Sequence, residues 1–127
     1  MRRAIADTSV FVAQESGRKL GDLPAEVAVS VITAAELELG VLRAGDADSR
    51  ATRLATLSRV QATYALLAVD PEVASCFARI ASAELARGRR LRRHDTWIAA
   101  TAMRHDAAVL TQDADFSSFD EVAVIRV

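Results

Sequence analysis

With 127 residues, 51% of them apolar and few Gly or Pro, the chain is long enough for one domain with a real core, and disorder is excluded. No run approaches the ~18 consecutive apolar residues of a membrane span, and Asp7 interrupts the apolar stretch behind the basic start, so no signal peptide is visible. A net charge of −1 gives no general attraction to nucleic acid, and a single cysteine excludes an internal disulfide and suits a reducing cytoplasm.

In chain order, "RRAIA" (2–6) reads as a short buried strand and "DTSVFVAQE" (7–15) as a turn entering a helix. "SGRKLGDLPAE" (16–26) carries Gly, Asp and Pro and reads as loop, with room for a helical turn. "VAVSV" (27–31) is β-branched and short, a second strand, and "ITAAELELGVLRAG" (32–45) is helical. "DADSRATRLATLSRVQATYAL" (46–66) opens on acids that suit a cap, with apolar positions at 54, 57, 60 and 64. "LLAVD" (66–70) is a third strand. "PEVASCFARIASAELARG" (71–88) has Pro71 in its first turn and Gly88 at its end, the expected asymmetry of a helix, with Cys76 on its apolar side. "RRLRR" (89–93) is a basic connector, "HDTWIAATAMRHD" (94–106) a helix that takes Trp97 into the core, and "AAVLT" (107–111) a fourth strand. "DADFSSF" (113–119) is a turn before a last strand in "EVAVIRV" (121–127). Strands alternating with helices predict α/β layers around a mainly parallel sheet, in which ligands gather outside the carboxyl ends of the strands.

Five acids fall near that edge. Asp7 ends the first strand, Asp113 follows the fourth by two residues with Asp115 two further on, Asp95 opens the helix before the fourth strand, and Glu36 lies early in the helix after the second. Each has a plainer reading as a turn or cap residue, and "TAAE" (33–36) has the spacing of a capping box with Thr33 as its N-cap. Glu38 competes with Glu36 for the site. Charge is also distributed unevenly: five arginines crowd into "RGRRLRR" (87–93), immediately before His94-Asp95.

Taken in order and spacing, "IADTSVF", "SVITAAELELGV", "RRHDTWIAATA" and "AVLTQDADF" resemble a PIN-domain protein, and more narrowly a VapC-type toxin of a bacterial type II toxin–antitoxin pair. The resemblance spans nearly the whole chain. It implies a three-layer α/β/α fold and a magnesium- or manganese-dependent ribonuclease that leaves a 5′-phosphate and a 3′-hydroxyl. The family's four acids fall on Asp7, Glu36, Asp95 and Asp113, with Asp115 as an extra, and its hydroxyls on Ser9 and Thr111. A VapB-like antitoxin that blocks the pocket, and a homodimer, are implied as well.

The residue types suit that chemistry. Two carboxylates ~6 Å apart repel by roughly 3 kcal/mol at an effective dielectric near ~20. Six pairs among four acids approach ~17 kcal/mol, which protonation, spreading or a cation must relieve. Mg²⁺ prefers oxygen ligands and keeps several waters, whereas zinc would require Cys/His spacing that is missing. Asp7 and Asp95 are expected to bind metal directly, with Asp113 and Glu36 holding its waters or a second ion. Ser9, Thr111 and Asp115 are expected to support those carboxylates. Arg89, Arg90, Arg92 and Arg93 read either as a solvated connector or as a clamp on the RNA backbone. A phospho-aspartate phosphatase would need an Asp where Ser9 stands, and no GxSxG elbow supports a serine hydrolase. A housekeeping RNA-processing nuclease and a non-catalytic acidic-pocket binding module stay open as alternatives.

Overall fold

A computed structural model of the chain describes residues 3–114, 116 and 119–127. Asp115, named above beside the acids, lies outside the described residues. The elements run β1 (Arg3–Ala6), α1 (Thr8–Glu15), β2 (Glu26–Ser30), α2 (Val31–Leu42), α3 (Ala47–Thr63), β3 (Leu66–Leu67), α4 (Pro71–Ala86), α5 (Arg93–Arg104), β4 (Ala108–Thr111) and β5 (Val124–Arg126). The strands form one sheet in the order β3-β2-β1-β4-β5, every neighbouring pair parallel.

Strand periodicity sets the layers. Along β1, Ala4 and Ala6 face the side packed by Val10, Phe11, Leu37, Leu57 and Val60, while Ile5 faces Val73, Ile80, Ile98 and Phe116. Along β4, Val109 and Leu110 divide in the same way. Helices α1, α2 and α3 therefore cover one face and α4 and α5 the other, an α/β/α sandwich with both sheet faces buried. The small side chains of β1 let helices approach closely, and aromatics fill the remaining space, with Phe77 and Trp97 stacked at 4.0 Å between centroids. Cys76 is buried, as its apolar helix face predicts.

The helix starts follow local chemistry. Asp46 and Asp70 accept the backbone N–H of Ser49 and Val73, and Pro71 sits at the first position of α4, where its missing N–H costs nothing. Gly88 closes α4 with φ of +74°, a conformation that suits glycine. At α2 the capping-box reading fails. Its N-cap is Ser30, whose Oγ accepts the Ile32 N–H at 3.0 Å, and Thr33 is fully buried inside the helix. The strand before it ends one residue earlier than expected, because Val31 already belongs to the helix. The "LLAVD" strand shortens to Leu66–Leu67 and the last strand to Val124–Arg126. Residues 16–25 contain no helix. Among the described residues, no helix is long and apolar enough to cross a membrane.

Candidate active site

Parallel pairing brings the carboxyl ends of β1, β2 and β4 to one edge, and the segments leaving them carry Asp7, α2 with Glu36, and Asp113. Asp7 occupies the N-cap position of α1, yet its side chain caps nothing. It is 6% exposed, and its Oδ2 instead accepts the hydroxyls of Ser9 at 2.8 Å and Thr111 at 3.0 Å. Those hydroxyl oxygens in turn accept the backbone N–H groups of Gln112 (3.0 Å) and Asp113 (2.9 Å). One carboxylate oxygen is thus pinned by a lattice that also fixes the backbone of Asp113. No protein donor among the described residues reaches Oδ1. A buried carboxylate with one oxygen anchored and the other open is arranged to receive a cation or a water.

Glu36 is held differently. Thr8, the first residue of α1, donates its hydroxyl to Oε1 at 2.7 Å, and His94 Nδ1 lies 3.4 Å from Oε2. Thr8 Oγ1 also lies 3.3 Å from the buried Thr33 hydroxyl. Both oxygens of Glu36 therefore have partners, while its competitor Glu38 points to solvent. Thr8 is a functional candidate that the sequence pattern does not single out. It is the middle residue of "DTS", and a hydroxyl beside a helix start reads as ordinary capping chemistry.

Asp95 is the third residue of α5, half-buried, and its carboxyl is pushed up to about 6. Burial is the main cause, followed by the charge of Asp7; Arg92 pulls the other way, and Asp113 and Glu36 add to the rise. One electrostatic field therefore contains all four acids. Among the described residues, no three Asp, Glu, His or Cys side chains are grouped closely enough to hold a metal ion by themselves. The donor set still fits a hard divalent cation, being all oxygen, crowded with negative charge and partly open, which suits an ion that keeps much of its own water. It does not resemble a closed zinc site.

The basic run divides. Arg89 NH1 donates to Oε2 of Glu84 at 2.8 Å, and Arg87 lies 3.5 Å from the same oxygen. Glu84 is only 3% exposed, so Arg89 is committed to a buried carboxylate. Arg92 NH1 lies 3.6 Å from Asp95 Oδ2, and its guanidinium sits 4.5 Å from the centre of the Phe119 ring. Arg90 and Arg93 line a groove of about 500 Å³ beside the acids, together with Leu91, Arg92, His94, Asp95 and Glu36. Both Arg90 and Arg93 are exposed, whereas Arg92 between them is half-buried. A slightly larger hollow of about 550 Å³ opens at the opposite end of the strands among Arg3, Asp106 and Glu121, and none of Asp7, Glu36, Asp95 and Asp113 lines it.

Comparison with known proteins agrees with this geometry. Residues 4–122 match the PIN domain. The chain is 46% identical to Ribonuclease VapC5 of Mycobacterium tuberculosis over 125 residues, covering 97% of this chain and 92% of that protein. It is 42% identical to Ribonuclease VapC4 of the same organism over 129 residues, covering 100% and 98%. Its backbone superposes with a TM-score of 0.90 on the crystal structure of VapBC-5, a member of the VapBC family of toxin-antitoxin systems from Mycobacterium tuberculosis, at 43% identity with both chains fully covered. By its sequence, its five parallel strands and its edge of acids, the chain belongs to the PIN-domain family and, within it, to the VapC ribonuclease toxins.

Proposed function

We propose that the chain is a divalent-metal-dependent endoribonuclease, using Mg²⁺ or Mn²⁺, and the toxin of a pair whose antitoxin is VapB-like. The observation that carries this reading is the shared field at the strand edge, in which burial and three other acids push Asp95 up to about 6. Such crowding is costly unless a cation relieves it. When bound, a divalent cation would polarise the phosphodiester and acidify a water.

The chain's own residues have separable tasks. Asp7, Asp95 and Asp113 would hold the ion, with Asp7 presenting the oxygen that Ser9 and Thr111 leave open. Glu36, steadied by Thr8 and His94, is placed to orient the attacking water and accept its proton. Arg90 and Arg93 attract the RNA backbone into the groove and offset the repulsion that the acids exert on it. Water adds in line to phosphorus, the 3′-oxygen departs as a hydroxyl, and the 5′-phosphate stays with the other fragment. A homodimer is part of this proposal, with the apolar positions of residues 49–67 as its candidate surface.

The test is cleavage of RNA by purified protein with Mg²⁺, with EDTA, and with Asp7→Asn. Cleavage that requires the metal and disappears in a folded Asp7→Asn protein supports the reading; undiminished cleavage by that variant removes Asp7 from the mechanism. Growth arrest on expression, relieved by the product of an adjacent small gene, separates a toxin from a housekeeping nuclease. Binding without turnover would leave a pure binding module.

A further inference from the structure

Arg92 differs from the rest of the basic run. It holds the N-cap position of α5, where its side chain caps nothing. Its guanidinium instead lies against the Phe119 ring at 4.5 Å, with NH1 3.6 Å from Asp95 Oδ2. Phe119 is buried, so the ring is a fixed platform, and the Arg92 side chain is 20% exposed while Arg90 projects into solvent. A guanidinium resting on an aromatic face keeps its N–H edges directed at acceptors around it. Asp95 is one such acceptor. Arg92 and Asp95 both line the groove that Glu36, Arg90 and His94 also border, which is wide enough to admit a phosphate.

We infer that Arg92 is the internal counter-ion of Asp95, that it yields this carboxylate to an incoming divalent cation, and that its guanidinium then grips the scissile RNA phosphate. The inference rests on the ribonuclease reading above. A separation of 3.6 Å between partly exposed groups is looser than a hydrogen bond and exchanges readily. A divalent ion offers Asp95 twice the charge, and the Phe119 platform keeps the displaced guanidinium beside the groove. No covalent bond changes in this step; one ion pair is exchanged for two. Arg92 thereby acts twice, easing acid repulsion before the metal binds and stabilising phosphate charge afterwards.

The experiment compares wild type, Arg92→Ala and Arg92→Lys, each checked for native circular dichroism. Mn²⁺ affinity is read by electron paramagnetic resonance on RNA-free protein, and single-turnover cleavage of a short RNA is measured at saturating Mg²⁺. Arg92→Ala is expected to bind Mn²⁺ roughly two- to fivefold more tightly, since a competitor of exposed-pair strength is gone. It is expected to cleave about tenfold or more slowly, for want of a donor to the phosphate. Arg92→Lys keeps a competing point charge and so a near wild-type Mn²⁺ affinity, but without the planar fork it cleaves slowly. Unchanged or weaker Mn²⁺ binding in Arg92→Ala overturns the counter-ion role, and undiminished cleavage overturns the phosphate contact. If wild type fails to cleave RNA at any Mg²⁺ concentration, the ribonuclease reading and the phosphate contact fall together, while the Mn²⁺ titration still decides the counter-ion role.

Discussion

Thr8 donates its hydroxyl to Oε1 of Glu36 across 2.7 Å, joining the first residue of α1 to the middle of α2. The contact places a donor on the acid proposed to handle the attacking water, and its neighbour Thr33 is fully buried, so the donor has little freedom to move. Thr8→Val keeps the shape and removes the donor. Cleavage is expected to fall by about 10- to 100-fold with the fold intact, and Thr8→Ser to recover most of it. Single-turnover rates beside circular dichroism check this; equal rates in wild type and Thr8→Val would remove Thr8 from the site.

Asp95 links stability to pH. Its folded carboxyl titrates at about 6, above the ordinary 3.8, so the native state holds this proton more tightly than the unfolded chain does. The stabilising contribution of the neutral carboxyl is fully present below 3.8 and is lost as pH rises through about 6. Asp95→Asn cannot ionise. In metal-free buffer its melting temperature should therefore exceed that of wild type increasingly as pH rises from about 4 to about 7. Added Mg²⁺ should narrow the gap by stabilising wild type alone. A gap independent of pH would contradict the shared field.

Glu84 is buried while its partner Arg89, 2.8 Å away, is exposed, and the asymmetry is measurable. Arg89→Ala leaves a carboxylate inside the protein with Arg87 at 3.5 Å, and is expected to cost roughly 2–4 kcal/mol in urea denaturation. Adding Glu84→Leu should recover part of that deficit, because the stranded charge is gone. A double variant less stable than Arg89→Ala would contradict this.

Arg90 and Arg93 line the groove beside the acids. In an Asp7→Asn background, which keeps RNA uncut, changing both to Gln should flatten the slope of log affinity against log salt by roughly 1.4, about 0.7 for each phosphate no longer neutralised. An unchanged slope measured by fluorescence anisotropy would leave them as a solvated connector.

How much of this is readable from the chain depends on the range of the interaction. β1 and β4 are apolar runs ended by polar residues, and period-two alternation with parallel pairing suffices to bring Asp7 and Asp113 to one edge. The shared edge of Asp7 and Asp113 is legible for that reason. Ser30 does not stand out as the cap of α2, because Thr33 offers the same hydroxyl three residues later and its burial inside the helix is not visible in the sequence. Arg89 reads like its neighbours, since nothing local reveals that Glu84 is buried in the turn before it. Phe119 gives no sign of serving Arg92, as the two meet across more than twenty residues. Pairings made within one turn or one strand are visible in the sequence; those made by the folding of distant segments are not.

The outermost strands of the sheet, β3 and β5, are two and three residues long. Each presents few open amide and carbonyl groups, too few to template the backbone of another molecule. Copies of this protein at high concentration are therefore guarded against fusing their sheets into fibrils.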